Sequence, residues 1–131
     1  MKKFLIARRI KRNKIKFPLY CKIHGVKSID RQGAIAQTRA EDKLQLVHVP
    51  LPDYPYNVYA YNISLNRILG YLDEGLSVKL ISVFGKRFCR DGEVDKITGG
   101  EQYPYRGCNI KIYETAEFLK DNRNFQHLHG E

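Results

Sequence analysis

A chain of 131 residues with 43% hydrophobic and 28% charged side chains can fill one ordinary core, which excludes a disordered chain and leaves little room for a second domain. The longest nearly uncharged stretch, residues 47–64, carries Asp53 and three prolines, and residues 4–7 are too short for a secretory apolar region. Neither a membrane span nor a signal peptide is expected. The formal charge is +9, of which +8 falls in residues 1–16: Lys2, Lys3, Arg8, Arg9, Lys11, Arg12, Lys14 and Lys16 stand there without a single acid.

The predicted elements follow in chain order. Residues 1–16 are a basic N-terminal arm ahead of a single domain over 17–120 and a polar tail over 121–131. Residues 17–26 alternate around Leu19, Cys21 and Ile23 and predict a strand closed by Gly25. Residues 29–42 predict a short helix capped by Asp30, weakened by Gly33 at about 1 kcal/mol relative to alanine. Residues 43–49 predict a strand, with Leu44 and Leu46 followed by a change of phase to Val47 and Val49. Pro50, Pro52 and Pro55 make the next segment a rigid loop, since three missing donors would break a ladder. Residues 56–63 predict a strand with Val58, Ala60 and Asn62 on one face and Tyr59, Tyr61 and Ile63 on the other. A turn at 64–67 and a partner strand at 68–72 complete a hairpin.

From Asp73 the period changes. Leu76, Leu80, Val83 and Phe84 recur at helical spacing, so residues 73–86 predict a helix with acids in its first turn and Gly85 as its stop. A strand over 88–97, interrupted near Asp91 and Gly92, leads through a Gly/Pro loop at 98–105. The last strand, 106–113, has Cys108, Ile110 and Ile112 on one side. A short terminal helix is expected over 114–120. The order β–α–β, hairpin, α, β, β predicts a mainly β fold with two or three short helices, as a small, partly closed barrel.

A basic arm on a nearly neutral body is an electrostatic footprint of nucleic-acid binding, because each neutralised phosphate releases counterions. The same arm would also suit an acidic protein partner, or serve as a solubilising tail. Cys21, Cys89 and Cys108 are odd in number and far apart, without CxxC, so reduced cytoplasmic thiols are expected rather than disulfides or zinc. His24 and His48 sit singly in apolar runs as core or edge histidines, and His127 and His129 lie in the polar tail. There is no GxSxG, no Walker glycine loop and no HExxH, and nothing orients a third group beside Cys21 and His24. Asp73/Glu74 and Glu41/Asp42 read as solvated helix-end charges. No enzyme activity, metal or cofactor is expected.

Two segments carry a resemblance. Leu51-Pro-Asp-Tyr-Pro-Tyr-Asn-Val-Tyr-Ala60 followed by Ile68-Leu-Gly-Tyr-Leu72 resembles the core signature of the HIRAN domain, a polar NPYDxNA loop entering a strand and then an IGY or LGY strand and a helix. His24-Gly-Val26, the strand ahead of the loop, Ile97-Thr-Gly-Gly100 and the closing strand fall in order, so the resemblance spans roughly residues 19–113. It implies a small β-barrel similar to OB-folds, which in a helicase-fused member binds the 3′ end of single-stranded DNA. Pro55, Tyr56 and Ala60 match the motif. Asn57 stands where the motif has Asp, and Tyr59 where it has Asn. Asp73 and Glu74 follow the Gly-Tyr pair where DNA-binding members are basic. Ser28 and Ile29 replace an aromatic pair, with Lys27 keeping the adjacent charge.

The candidate nucleic-acid-binding residues are therefore Tyr54, Tyr56, Asn57, Tyr71, Lys27 and Arg87, with Arg8, Arg9, Lys11 and Arg12 on the arm. Tyr56 reads either as a base-stacking platform or as a ring packed over the barrel mouth. Asn57 reads as a nucleotide contact or a turn-forming side chain, and Tyr59 and Tyr61 as further stacking surface or ordinary packing. Lys86, Arg87 and Arg90 beside Phe88 form a second basic cluster. The partner expected is nucleic acid, single-stranded DNA or DNA ends above others; the alternative is a protein-interaction adaptor or inhibitor meeting an acidic partner.

Overall fold

The computed structural model describes residues 2–100 and 102–116, with side chains from residue 5 onward. Among the described residues are helices α1 (Lys2–Arg12), α2 (Ile29–Gln37) and α3 (Glu74–Phe84) and strands β1 (Leu19–Lys22), β2 (Lys43–His48), β3 (Val58–Asn62), β4 (Arg67–Tyr71), β5 (Cys89–Thr98) and β6 (Gly107–Ile112). The strands form one antiparallel sheet in the order β1-β6-β5-β2-β3-β4. It is mainly β, and it curls into a half-barrel whose two edges are tied together. His24, just past β1, exchanges backbone hydrogen bonds of 2.8 and 3.0 Å with Tyr71 at the end of β4. Gly70 permits that approach, because a Cβ there would lie 2.3 Å from the His24 carbonyl oxygen.

The concave face holds the main core: Leu44, Leu46, Val58, Ala60, Leu69, Val94, Cys108, Ile110 and Ile112, joined by Ile35 of α2 and Leu80, Ile81 and Val83 of α3. The opposite face carries a second apolar cluster of Val47, Val49, Tyr59 and Tyr61. Both faces of β2 are thus buried, so its apolar residues occupy the two sides of one regular strand and no change of phase is needed. The same holds for β3, with the tyrosines and Ile63 opposite Val58 and Ala60 as the alternation predicts.

The element order from β1 to β6 matches the sequence expectation, with local corrections. The cap of α2 is Ser28, whose hydroxyl accepts from Arg31 N at 3.3 Å, rather than Asp30 inside the first turn. This helix stops at Gln37, where Thr38 turns its backbone extended and donates its hydroxyl to Ala34 O. β5 runs unbroken through Asp91 and Gly92; its irregularity falls between Val94 and Lys96. Gly92 marks a close approach instead of a break, since a Cβ there would meet Leu46 Cδ2 at 2.5 Å. Residues 114–116 are not helical, and the rest of the expected terminal helix, like the tail 121–131, lies outside the described residues. α3 spans Glu74–Phe84 where the sequence predicts 73–86: Asp73 caps it from outside, accepting from Leu76 N, and Gly85 closes it at φ 94°.

The basic N-terminal segment forms a helix that the sequence reading did not anticipate. Ile6 and Ile10, one helical turn apart, share a face that packs on the core, and Ile15 beyond the helix is itself buried. Arg9, Lys11 and Arg12 fill the last turn, where cations suit the unpaired carbonyls. Asn13 then stops the helix by donating its side-chain amide to Arg9 O at 2.8 Å, and Lys14 takes φ 57°. No helix among the described residues is long and apolar enough to cross a membrane.

Candidate functional site

The proline loop between β2 and β3 folds on itself. Leu51 and Tyr54 exchange two backbone hydrogen bonds of 3.1 Å, and Asn57 N donates to Tyr54 O at 3.1 Å. Asn57 is fully buried and donates its side-chain amide to Val49 O at 3.1 Å, so it braces the loop from beneath and does not face solvent. Tyr54 is fixed as well. Its hydroxyl donates to Leu72 O at 3.0 Å, and its ring meets Tyr71 edge-on at 5.8 Å. Partial burial pushes the Tyr54 hydroxyl above its ordinary pKa, and the nearby charges of Glu74 and Asp73 push the same way. Tyr56 is the tyrosine of this turn that remains open, with 41% of its surface exposed, beside exposed Asp53 and Pro55.

His48 joins this lip to the turn after α3. The ring, at the end of β2, has Nδ1 2.8 Å from Lys86 O and Nε2 2.7 Å from Pro55 O. Exposed Arg87 therefore follows a residue held against the one that precedes Tyr56. Along α3, Arg9 of α1 reaches Val83 O at 3.5 Å, which sets the basic helix beside the end of α3 that carries Lys86 and Arg87. Arg8, Lys11 and Arg12 are exposed. Arg90 belongs to a different setting: its guanidinium lies 4.1 Å from the centre of the Phe84 ring, half-buried, and desolvation lowers its pKa. Phe88 beneath it is buried and presents no stacking face.

A second route leads from Tyr71 to Lys27. The Arg31 guanidinium lies 5.7 and 5.8 Å from the rings of Tyr59 and Tyr71 and donates to Gly25 O at 2.8 Å. Two residues on from Gly25, the Lys27 ammonium sits 5.4 Å from the centre of the Tyr105 ring. Gln32 holds these segments together, donating to Val26 O at 2.7 Å and Arg106 O at 2.8 Å while accepting from Arg106 N at 2.9 Å. The loop between β5 and β6 thus presents Tyr103, 64% exposed, and Tyr105, 45% exposed, with Arg106 beside a shallow hollow lined by Thr98, Gly99, Tyr103, Pro104 and Tyr105. These residues escaped the sequence reading. The signal was present: Tyr103-Pro104-Tyr105 repeats the Tyr54-Pro55-Tyr56 triplet.

Tyr59 and Tyr61 are buried in the second cluster, packing residues and not a platform. The thiols are free, and burial pushes Cys21 and Cys108 up to about 12 and Cys89 to about 11, so each is a neutral SH at physiological pH and a poor nucleophile. Cys89 donates to Gln45 Oε1 at 2.9 Å, and Gln45 donates in turn to Asp91, a buried polar group beneath the second cluster. Among the described residues no three His, Cys, Asp or Glu side chains group to hold a metal ion. Comparison with protein-family models, curated proteins and solved structures finds no match to this chain.

Proposed function

We propose that this protein is a non-catalytic nucleic-acid-binding module that takes single-stranded DNA or a DNA end, on an OB-like, HIRAN-like half-barrel. The observation that carries the reading is the exposed Tyr56 ring on a turn whose other members are locked, next to the cationic turn of Lys86 and Arg87. A ring held at little entropic cost beside cations is what a stacked base and its phosphate require, and each stacked base contributes about 1–3 kcal/mol. Lys27 with Tyr105 supplies a second pairing of the same kind. The cations of α1 stand on a docked helix, so phosphates would meet them at fixed positions.

Fluorescence anisotropy with short single strands bearing a 3′-hydroxyl or a 3′-phosphate tests it. Saturable binding that prefers the hydroxyl end is expected. Tyr56→Ala and Tyr105→Ala are each expected to weaken it at least fivefold while the protein stays folded by circular dichroism. Replacing Arg8, Lys11 and Arg12 with Gln is expected to flatten the dependence of log K on log salt by about 0.7 per lost contact. Binding that ignores both tyrosines, or association that is only salt-sensitive and blind to the end, overturns the reading.

A second reading, an adaptor or inhibitor that meets an acidic protein partner through α1, is favoured by one observation. Asp73 and Glu74 act electrostatically on Tyr54, at the base of the lip, where they would repel a phosphate. A complex with an acidic protein that survives Tyr56→Ala but not the α1 substitutions would select this reading.

A further inference from the structure

The ring of His48 is 7% exposed and lies between two backbone carbonyl oxygens, 2.8 Å from that of Lys86 and 2.7 Å from that of Pro55. A neutral imidazole carries one N–H, and its other nitrogen is an acceptor that finds nothing to accept from a carbonyl. Only the doubly protonated ring donates to both. The strand end that carries it is fixed, with His48 N donating to Phe88 O at 3.1 Å and Val49 N to Asn57 O at 2.9 Å. The ring is therefore presented to both carbonyls by backbone that does not depend on them.

From this geometry we infer that His48 is a positioning residue whose second proton clamps the Tyr54-Pro55-Tyr56 turn to the Lys86–Arg87 turn. With both protons it holds the two carbonyls. With one, it keeps one carbonyl and releases the other, so the exposed ring and the cations next to it lose their fixed relation. As far as ligand binding is concerned the inference rests on the reading of this turn as the binding lip; the clamp itself does not.

The surrounding charges come from several elements. The turn after α3 brings Lys86 and Arg87, which oppose a charged ring, and the lip brings Asp53, which favours it, along with Tyr54 and Tyr56. All three charged side chains are exposed and so are screened by solvent. β5 adds Cys89, a neutral thiol, and half-buried Arg90; β3 places Val58 opposite His48 and adds no charge. The N-terminus of α3 adds Asp73 and Glu74, which face Tyr54. The two carbonyls in direct hydrogen-bond contact are the closest of these influences, and each accepts only from a ring nitrogen that carries a proton. A ring that gives up either proton loses one of these two bonds, so the clamp is complete only with both protons and opens as pH rises.

The test uses the full chain labelled with ¹⁵N and carried from pH 5 to pH 8.5 without ligand. Both ring nitrogens of His48 are expected to carry protons at the acid end. Loss of one is expected to move or broaden the backbone amide signals of Tyr54 and Tyr56, or those of Lys86 and Arg87, at the same midpoint. A single neutral tautomer at every pH, or a titration that leaves both turns unmoved, overturns the clamp. In His48→Gln those amide signals are expected to be independent of pH over this midpoint. Affinity for oligothymidine is then expected to fall about 3- to 10-fold from pH 5.5 to 8 in the parent chain and to stay flat in His48→Gln. If the ring titrates as described and oligothymidine does not bind, the clamp stands and the proposed ligand falls. If it binds with equal pH dependence in both proteins, the coupling of clamp to site is overturned.

Discussion

The chain uses the triplet Tyr-Pro-Tyr twice, and the two copies are put to opposite structural use. At 54–56 the first tyrosine is a strut, bonded through its hydroxyl to Leu72 O and set edge-on to Tyr71, while the second is exposed. At 103–105 both rings are exposed, and the loop is held by contacts outside the triplet: Gln32 to Arg106, and Lys27 to Tyr105. Proline stiffens each turn by fixing one φ. What decides whether a neighbouring ring becomes scaffold or surface is whether the next element offers it an acceptor and a ring to lean on. The chain following β4 offers Leu72 O, and β4 itself offers Tyr71; among the described residues the tip of the β5–β6 hairpin offers Tyr103 neither.

The largest expected difference between the copies is in stability. Tyr54→Ala removes a partly buried ring, an edge-on aromatic contact and a hydrogen bond, and is expected to cost about 2–4 kcal/mol. Tyr103→Ala removes a solvated ring and is expected to change stability by no more than about 0.5 kcal/mol. Urea denaturation of both variants checks this. Equal losses would show that the two turns are the same device and would remove the reason for treating 54–56 as a rigid lip.

Gly99 offers a smaller perturbation of the second copy alone. It sits at φ +81°, and a Cβ there would lie 2.5 Å from Tyr105 O. Gly99→Ala is therefore expected to cost about 1–3 kcal/mol of backbone strain. The same strain is expected to shift the Tyr105 amide signal while leaving that of Tyr56 in place. A shift at both would mean that the two turns move together through Gln32, α2 and Tyr71, so that binding effects could not be assigned to either one.

The division between what the sequence disclosed and what it did not follows the range of the interactions. Strand alternation at Val58–Asn62 and the stop of α3 at Gly85 are local, and each is legible within a few residues. Ser28 won the cap of α2 from Asp30 by geometry two residues away, which side-chain preference alone does not rank. α1 reads as an arm because the eight cations of residues 1–16 dominate the composition there; Ile6 and Ile10 pack on the core only because α3, some seventy residues away, lies beside them. At the candidate site the tyrosines were visible as residues, but their roles were not. The acceptor that fixes Tyr54 is 18 residues on, and the two carbonyls about His48 lie 7 and 38 residues away.

The smallest expected effect tests whether the open copy is electrostatically built. Lys27 is exposed, and its ammonium over the Tyr105 ring is an arrangement that contributes only about 0.5–1 kcal/mol at a solvated position. Lys27→Gln should therefore leave the denaturation midpoint almost unchanged. If Tyr105 and Lys27 act together on one nucleotide, the substitution lowers the salt slope of single-strand binding by about 0.7 and makes a following Tyr105→Ala less costly than in the parent chain. Lys79→Gln, on the exposed side of α3, removes the same charge from an element outside the β5–β6 loop and is expected to alter neither the slope nor the cost of Tyr105→Ala. Additive losses from Lys27→Gln and Tyr105→Ala would mean that ring and cation serve the ligand independently. An equal slope change from Lys79→Gln would assign the effect to net charge rather than to the placement of Lys27 over the ring.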